Sequence, residues 1–486
     1  MGLRSKSLGD LVSPSLITNE TLADLEISGL TADSRKVEQG ALFVAIKGEK
    51  SDGAAFIPSA IENGAVACIV QEPFEGTASI PIIAVDNPRM ELAKAAARFF
   101  ELQPRMIGAV TGTSGKTSVA AFLRQIWAGA GLSAASIGTV GVVSPSGETY
   151  GSLTTPDPVS FHETLAQLAD DGVSHVALEA SSHGLEQHRL DGARISMAAF
   201  TNLGRDHLDY HPTMEDYFNA KMRLFEVLLP TGAPAIVNPD TLYGDEAADR
   251  ARKAGLDLRT VGPSGSAIRL LSAEPDGFAQ RLQLDFGSGT RDVLLPLAGA
   301  FQVENALTAA GLASASGLSD EVIAEQLECL KGAPGRLEFV GKTQNGALCF
   351  IDYAHKVEAL ASVLTALKPY ASGRLCVVFG AGGDRDRGKR PLMGKAAREH
   401  ADLVIVTDDN PRGEDPAAIR QAILAVVPDA LEIGDREEAI VHALQQAESG
   451  DVVVVAGKGH ETGQIVGDKV LPFSDHDVVR TALQRR

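Results

Sequence analysis

Nowhere in this chain do about eighteen uncharged apolar residues stand together, the length that a membrane-crossing helix needs. A membrane-spanning protein is therefore not expected. The opening MGLRSKSLGDLV carries basic residues but lacks an apolar run of signal-peptide length, so secretion is not expected either. Cysteine is scarce. Cys68, Cys329, Cys349 and Cys376 show no CxxC spacing, which argues against a disulfide framework and a structural zinc site. They read as buried free thiols in a reducing cytosol. Positive charge is also short: 44 Lys and Arg face 63 Asp and Glu, and the net charge of −19 disfavours nucleic acid as the main partner. An acidic protein can still hold anions where Lys, Arg, helix N-termini and metal ions reverse the local sign. Internal repeats and low-complexity segments are missing as well.

What is present is a chain of 486 residues with 44% hydrophobic and 22% charged residues, too long for one ordinary core. We expect an α/β protein of three domains, at 1–103, 104–332 and 333–486. Short apolar runs at 41–46, 65–70 and 82–85, followed by a helical stretch at 91–102, predict a small α/β domain. Gln103-Pro104-Arg105 reads as a linker, because proline ends the helix before it. From Met106 to about residue 330 strand-like and helical segments alternate, implying a mostly parallel sheet with crossover helices. Within this stretch residues 255–298 alternate apolar and polar side chains and predict an antiparallel insert or edge. After the boundary at 332–335, apolar strands at 375–379, 403–406 and 452–456 each run into a loop rich in Gly, Asp, Arg or Lys. Ligands bind beyond the carboxyl ends of such strands, so these three loops predict one crevice.

The strongest local signal is TGTSGKT at 111–117, between a strand and the helical run 119–126. Its glycines let backbone N–H groups approach phosphate, Lys116 can reach the β and γ phosphates, and the Thr117 hydroxyl can bind Mg²⁺. The spacing is compressed relative to GxxxxGK[ST], since Val110 stands five before Gly115 and Gly112 only three. A phosphate loop needs an acidic residue for its metal, and the strand at 173–178 delivers Glu179. Residues 180–189 then pack hydroxyls, imidazoles, an amide and a guanidinium into ten positions, a density that suits a substrate pocket. The segment 201–211 adds another such cluster. Read alone, Lys221 in YFNAKMR is an ordinary solvent-facing helical lysine.

TGTSGKT, EASSHGL, TNLGRDHLDYH, AKMRLF, DYAHK, FGAGGDRDRGKRPLMG, DDNPR and AGKGHE together resemble the Mur ligase family, in the family's order and across most of the chain. The resemblance implies a small α/β UDP-binding domain, a central P-loop ATPase domain with a parallel sheet, and a C-terminal Rossmann-like domain that closes the site. It also implies a cytoplasmic, monomeric enzyme of peptidoglycan synthesis that uses ATP and Mg²⁺.

By resemblance, Gly112, Thr113, Ser114, Gly115, Lys116, Thr117 and Ser118 hold ATP phosphates. Asn305, Arg336, Asp352 and His355 match further nucleotide positions. Ala32 and Ser34, in the segment around Asp33-Ser-Arg35 with Ala41-Leu-Phe43, match uridine contacts. Thr154, Thr155, Ser181, Gln187 and Arg189 match positions for a UDP-MurNAc-dipeptide. Glu179, His207 and Thr117 match metal ligands, and Lys221 matches a lysine that CO₂ converts to a carbamate able to bind a second Mg²⁺. Lys116, Lys221, His207 and Glu179 form the implied catalytic set.

Asp409, Asn410, Pro411 and Arg412 match the family's meso-diaminopimelate loop, with Arg385, Gly457 and Glu461 as further contacts. Arg412 can grip a distal carboxylate in a fork that lysine could not fill. The tetrapeptide occurs a second time, at 86–89. The implied reaction adds meso-2,6-diaminopimelate to UDP-MurNAc-L-Ala-D-Glu through an acyl phosphate. A lysine-adding sibling and, further off, a folylpolyglutamate synthase are the alternatives. Three positions depart from the family pattern: Lys356 and Val357 replace a common Thr or Ser followed by Pro, and Leu153 replaces a frequent Asn.

Overall fold

The computed structural model describes residues 5–48, 51–149, 151 and 153–484, so the first four residues of the opening segment lie outside it. The chain folds into two compact units. One comprises Met1–Lys116, Trp127–Thr260 and Gly311–Gly317; the other comprises Thr117–Ile126, Val261–Ala310 and Leu318–Arg486.

After a short antiparallel pair, Lys6–Ser7 with Glu26–Ile27, the first unit forms a four-stranded sheet, Gly29–Thr31, Ala41–Val44, Ala65–Gln71 and Ile82–Val85, parallel throughout and in chain order. The helix after it spans Pro88–Phe100 rather than the expected 91–102. It starts early because the Asn87 side chain accepts the Met90 N–H and Pro88 takes a first-turn position where no N–H is needed. It stops at Glu101, whose φ of 59° leaves the helical region.

The larger sheet of this unit runs Gly147–Thr149, Gly141–Ser144, Ala134–Gly138, His175–Glu179, Met106–Thr111, Met197–Phe200, Pro234–Val237 and Asp257–Gly262. From Ala134–Gly138 onward its neighbours are parallel, and His175–Glu179 and Met197–Phe200 flank Met106–Thr111. Every residue of His175–Glu179 and Met197–Phe200 is buried, as expected of strands covered on both faces. Ile107, Val176, Leu178, Phe200 and Phe218 belong to one core. This packing delivers the carboxyl ends of three adjacent strands side by side.

In the second unit Ile268–Asp276, Ala279–Asp285 and Thr290–Leu295 form the antiparallel meander that the alternation in 255–298 predicts. Its other sheet has the order Glu338–Lys342, Leu348–Asp352, Val452–Ala456, Leu375–Phe379, Leu403–Val406 and Leu431–Glu432. Only the Glu338–Lys342 edge is antiparallel. The strands expected at 375–379, 403–406 and 452–456 are thus neighbours, and separate apolar cores pack on the two faces.

Cys68, Cys349 and Cys376 are buried, but Cys329 is exposed, which corrects the uniform expectation; it lies in the turn beyond the helix Asp320–Leu327. Among the described residues no helix is long and apolar enough to cross a membrane.

Candidate functional site

In the first unit the strand Met106–Thr111 turns through Gly112 (φ 146°) and Gly115 (φ 89°) into the helix Lys116–Gly129. A Cβ at Gly112 would stand 1.9 Å from Thr201 Oγ1, so only glycine fits there. The 201–204 segment braces the loop: Thr113 N–H donates to Asn202 O (2.8 Å), Ser114 N–H donates to Asn202 Oδ1 (3.1 Å), and Thr201 Oγ1 donates to Ser114 O (2.6 Å). Lys116 Nζ donates to Gly112 O and Thr113 O at 2.8 and 2.9 Å.

Glu179, 1% exposed, ends the neighbouring strand. Its carboxylate accepts the Thr139 N–H (2.8 Å) and the Thr139 hydroxyl (3.1 Å), and a Cβ on Gly138 would fall 2.0 Å from Oε1. Because Thr139 spends its proton on Glu179, the Thr154 hydroxyl 3.0 Å away donates to Thr139. Thr155 Oγ1 donates to Glu179 O (3.0 Å), so the Ser181 hydroxyl at 2.9 Å donates to Thr155. Arg189 donates to Thr155 O and to Gln187 Oε1, each at 2.7 Å, and Gln187 Nε2 donates to Tyr210 Oη (3.1 Å). Thr154, Thr155, Ser181, Gln187, Arg189 and Glu179 thus lie on connected polar networks.

His207, at φ 53°, packs its ring edge-on to His183 with centroids 4.9 Å apart. His183 also lies 4.0 Å from Tyr210 and 5.6 Å from His211. Burial, with the neighbouring His183, Lys221 and His207, pushes the His211 imidazole down to about 4, so it is neutral near pH 7.

Lys221 corrects the reading of its heptapeptide taken alone. It lies on the inner face of the helix Met214–Arg223, 1% exposed, because Tyr217, Phe218 and Met222 on the same helix enter the core. Its Nζ donates to Gly112 O (2.8 Å) and stands 4.2 Å from the Tyr217 ring centroid. Burial drives this ammonium well below the ordinary lysine range; the Lys116 charge pushes the same way and Asp206 opposes.

Among the described residues no three His, Cys, Asp or Glu side chains converge on a cation site. That donor set still suits Mg²⁺, which keeps waters and phosphate oxygens and takes one or two carboxylates from protein; buried Glu179 supplies one. In the N-terminal sheet region Ser34 is half-buried and Ala32 exposed. Between them Asp33 caps the turn and pairs with Arg35 (Oδ1 to Nε 2.9 Å, Oδ2 to Nη2 2.8 Å), and that bond holds the carboxyl down to about 2.

The second unit carries two groups of candidate residues. Thr117 and Ser118, at the start of its share of the helix, are buried. Asn305 Nδ2 donates to Gln302 Oε1 (3.1 Å), and Gln302 Nε2 donates to Arg336 O (3.0 Å). The Arg336 guanidinium lies 4.7 Å over the Tyr353 ring. Asp352 accepts the N–H groups of Leu337 and Ala354 at 2.6 and 2.7 Å; burial raises its carboxyl to about 6 against the pull of Arg336. His355 Nδ1 can only donate to Tyr353 O, 2.9 Å away, and burial pushes its pKa down. Lys356 occupies the N-cap of the helix Val357–Leu367 and supplies no capping side-chain bond.

The three strand-end loops of the C-terminal sheet do meet. A Cβ at Gly380 would touch Asp409 N (3.0 Å), one at Gly383 would lie 1.9 Å from Pro411 O, and one at Gly457 would lie 2.9 Å from Asp409 Oδ2. Asp409 and Asn410 are buried, and Arg412 adopts φ 52° with its Nη1 donating to Gly383 O (3.0 Å). Asn410 Nδ2 donates to Glu461 Oε2 (3.0 Å). Arg385 is exposed on the first of these loops.

Residues that the sequence did not single out include Thr139, which holds Glu179, and Lys458, buried beside Asn410 and Glu461. Lys458 lies inside the quoted AGKGHE, so its position was visible; Thr139 carries no comparable signal.

Three family models match consecutive parts of the chain. They are the Mur ligase family, catalytic domain over residues 26–108, the Mur ligase middle domain over 110–313, and the Mur ligase, glutamate ligase domain over 335–459. The chain is 56% identical to a UDP-N-acetylmuramoyl-L-alanyl-D-glutamate–2,6-diaminopimelate ligase of Agrobacterium fabrum, covering 94% of each. It is 55% identical to a protein of the same name from Bradyrhizobium diazoefficiens, covering 99% of each. A solved structure with that name superposes with a TM-score of 0.75 at 34% identity over 99% of each chain. A folylpolyglutamate synthase of Mycobacterium tuberculosis shares the fold, with a TM-score of 0.63 at 19% identity over 82% of this chain and 95% of that one.

Proposed function

Because this chain belongs to the Mur ligase family, we propose that it joins meso-2,6-diaminopimelate to UDP-MurNAc-L-Ala-D-Glu at the expense of ATP. The reading places the protein in the cytoplasm, as a monomer, at a step of peptidoglycan synthesis. Its functional division is residues 1–103 for the UDP end, 104–332 for ATP and 333–486 for the amino acid. The observation that carries the choice of amino acid is Arg412, held at φ 52° with its Nη1 on Gly383 O, in the loop whose Asn410 bonds Glu461. Such a loop offers a guanidinium for a distal carboxylate and carboxylates for an ammonium.

In this mechanism a carboxylate oxygen of the D-Glu residue attacks the γ-phosphorus of ATP and ADP leaves, giving an acyl phosphate. Lys116 and the N-terminus of the helix Lys116–Gly129 offset the charge gathered there. Glu179, His207 and, next in the chain to Lys116, Thr117 are the ligands proposed for Mg²⁺, which would supply further charge neutralisation when bound. Lys221 joins them as a carbamate: its amine attacks CO₂, a proton is lost, and an anion results. Burial favours this, since it shifts the amine toward the neutral, nucleophilic form. Thr154, Thr155, Ser181, Gln187 and Arg189 position the UDP-MurNAc-dipeptide, with Ala32 and Ser34 at the uridine. The neutral amine of diaminopimelate then attacks the acyl carbon, phosphate leaves, and the nitrogen gives up a proton to form the amide.

A lysine-adding sibling would share every residue but those of the 409–412 loop. The test is ADP release with ATP, Mg²⁺ and UDP-MurNAc-L-Ala-D-Glu, offering diaminopimelate or L-lysine at equal concentration. Diaminopimelate preference supports the reading. Lysine preference overturns the amino-acid assignment, and silence with both overturns the reaction.

A further inference from the structure

The ammonium of Lys458 lies among Asp409, Asn410 and Glu461. Its side chain has 0% exposure, and Nζ donates to Asn410 Oδ1 at 3.0 Å and to Glu461 Oε2 at 3.2 Å, with Asp409 Oδ1 at 3.7 Å. The backbone is left-handed on both sides, at Gly457 (φ 117°) and Gly459 (φ 54°), a conformation that turns the chain around this residue.

The orientation of Asn410 follows from this contact. Oδ1 accepts from Lys458 and from the Ile465 N–H (2.9 Å), and neither donor has acceptor capacity, so the amide cannot be flipped. Its Nδ2 must therefore face Glu461. The other buried cation nearby is already committed. Arg436 forks onto Asp475 at 2.7 and 2.8 Å and donates to Ala456 O (3.0 Å), so its charge reaches Asp409 and Glu461 through space, whereas Lys458 Nζ forms ion pairs with both.

We propose that Lys458 is a positioning and specificity residue for the incoming amino acid. It fixes Asn410 and Glu461 in one arrangement and offsets one of the two carboxylate charges of Asp409 and Glu461, so that these three groups together present a single net negative charge to a substrate ammonium. The inference rests on the diaminopimelate reading above. A lysine that merely filled space could be replaced by a well-packed apolar side chain of similar length at little cost, whereas removing this one leaves two carboxylates facing each other.

The experiment measures amino-acid-dependent ADP release by the full chain with Lys458→Met, Lys458→Arg and Lys458→Ala. Lys458→Met should raise the KM for diaminopimelate about ten-fold or more, and, because Arg412 Nη1 also bonds Asn410 O (3.4 Å), it should lower the preference over L-lysine as well. The KM values for ATP and for the UDP-MurNAc-dipeptide should stay within about two-fold, because those ligands do not depend on the Asn410–Glu461 arrangement. Lys458→Arg should keep the preference. For Lys458→Ala, ethylammonium should restore diaminopimelate affinity where sodium at equal ionic strength does not.

Wild-type KM and preference in Lys458→Met overturn the proposal. So does an equal loss toward all three substrates with no ethylammonium rescue, which would mark a purely structural lysine. Lysine preference by the unaltered chain overturns the substrate reading and this proposal with it. Diaminopimelate preference in the unaltered chain with an indifferent Lys458→Met overturns this proposal alone.

Discussion

At residues 86–89 Asp-Asn-Pro-Arg starts a helix: Asn87 caps it through Met90 N–H and Pro88 fills its first turn. At residues 409–412 the same four residues start none. Asn410 spends its carbonyl oxygen on Lys458 and Ile465 N–H, and Arg412 turns left-handed at φ 52°. The neighbours decide. Met90-Glu91-Leu92-Ala93 follows the first copy and propagates a helix at once. After the second comes Gly413, and the next helix waits for its own cap and proline at Asp415 and Pro416. The strand pair Gly463–Val466 and Lys469–Pro472 then pins the second copy, with Arg412 N–H on Ile465 O (3.0 Å) and Gly467 N–H on Arg412 O (2.7 Å). A motif of four residues is therefore a statement about its surroundings, and the two copies predict opposite consequences of the same substitution.

The sharpest contrast is between the arginines. Arg412→Ala should cut kcat/KM for diaminopimelate by about a thousand-fold, because a substrate carboxylate loses its charged partner. Its KM for ATP should hold, and a similar loss from Arg89→Ala would break the comparison. Next in size is Gly383→Ala, whose new Cβ would start 1.9 Å from Pro411 O and must displace the loop. We expect about 1–3 kcal/mol of lost stability by denaturant midpoint. A raised KM for diaminopimelate should accompany it, and unchanged values of both would mean the loop gives way freely.

Much of this organisation was legible in the residues. The three C-terminal strands coincide with their apolar runs because buried parallel strands are read directly as such runs, and the antiparallel meander showed itself by alternation. Lys221 was not legible from its own segment. Its burial is imposed by Tyr217, Phe218 and Met222 choosing which face of the helix turns inward, and by Gly112 O, 109 residues away in sequence, accepting its hydrogen bond. Thr139 was invisible for the same reason, since its partner Glu179 is 40 residues distant. Helix starts were missed by three residues at Pro88, where the cap rather than the apolar period sets the boundary.

The first copy should answer to stability rather than to substrate. Asn87→Ala removes a cap and should cost about 1 kcal/mol in thermal or denaturant unfolding, with the ratio of diaminopimelate to lysine turnover unchanged. Its amide also donates to His188 Nε2 (2.9 Å), so Asn87→Ser, which keeps a cap but does not carry that amide, should fall between the two. Arg89→Ala is the smallest effect. Arg89 is half-buried, and its Nη2 donates to Lys47 O (3.1 Å) at a solvent-exposed contact where water can replace it. A loss of about 0.5 kcal/mol or less is expected. If Arg89→Ala instead shifted the amino-acid preference, the first tetrapeptide would be part of substrate recognition, and the division between a capping copy and a binding copy would fail.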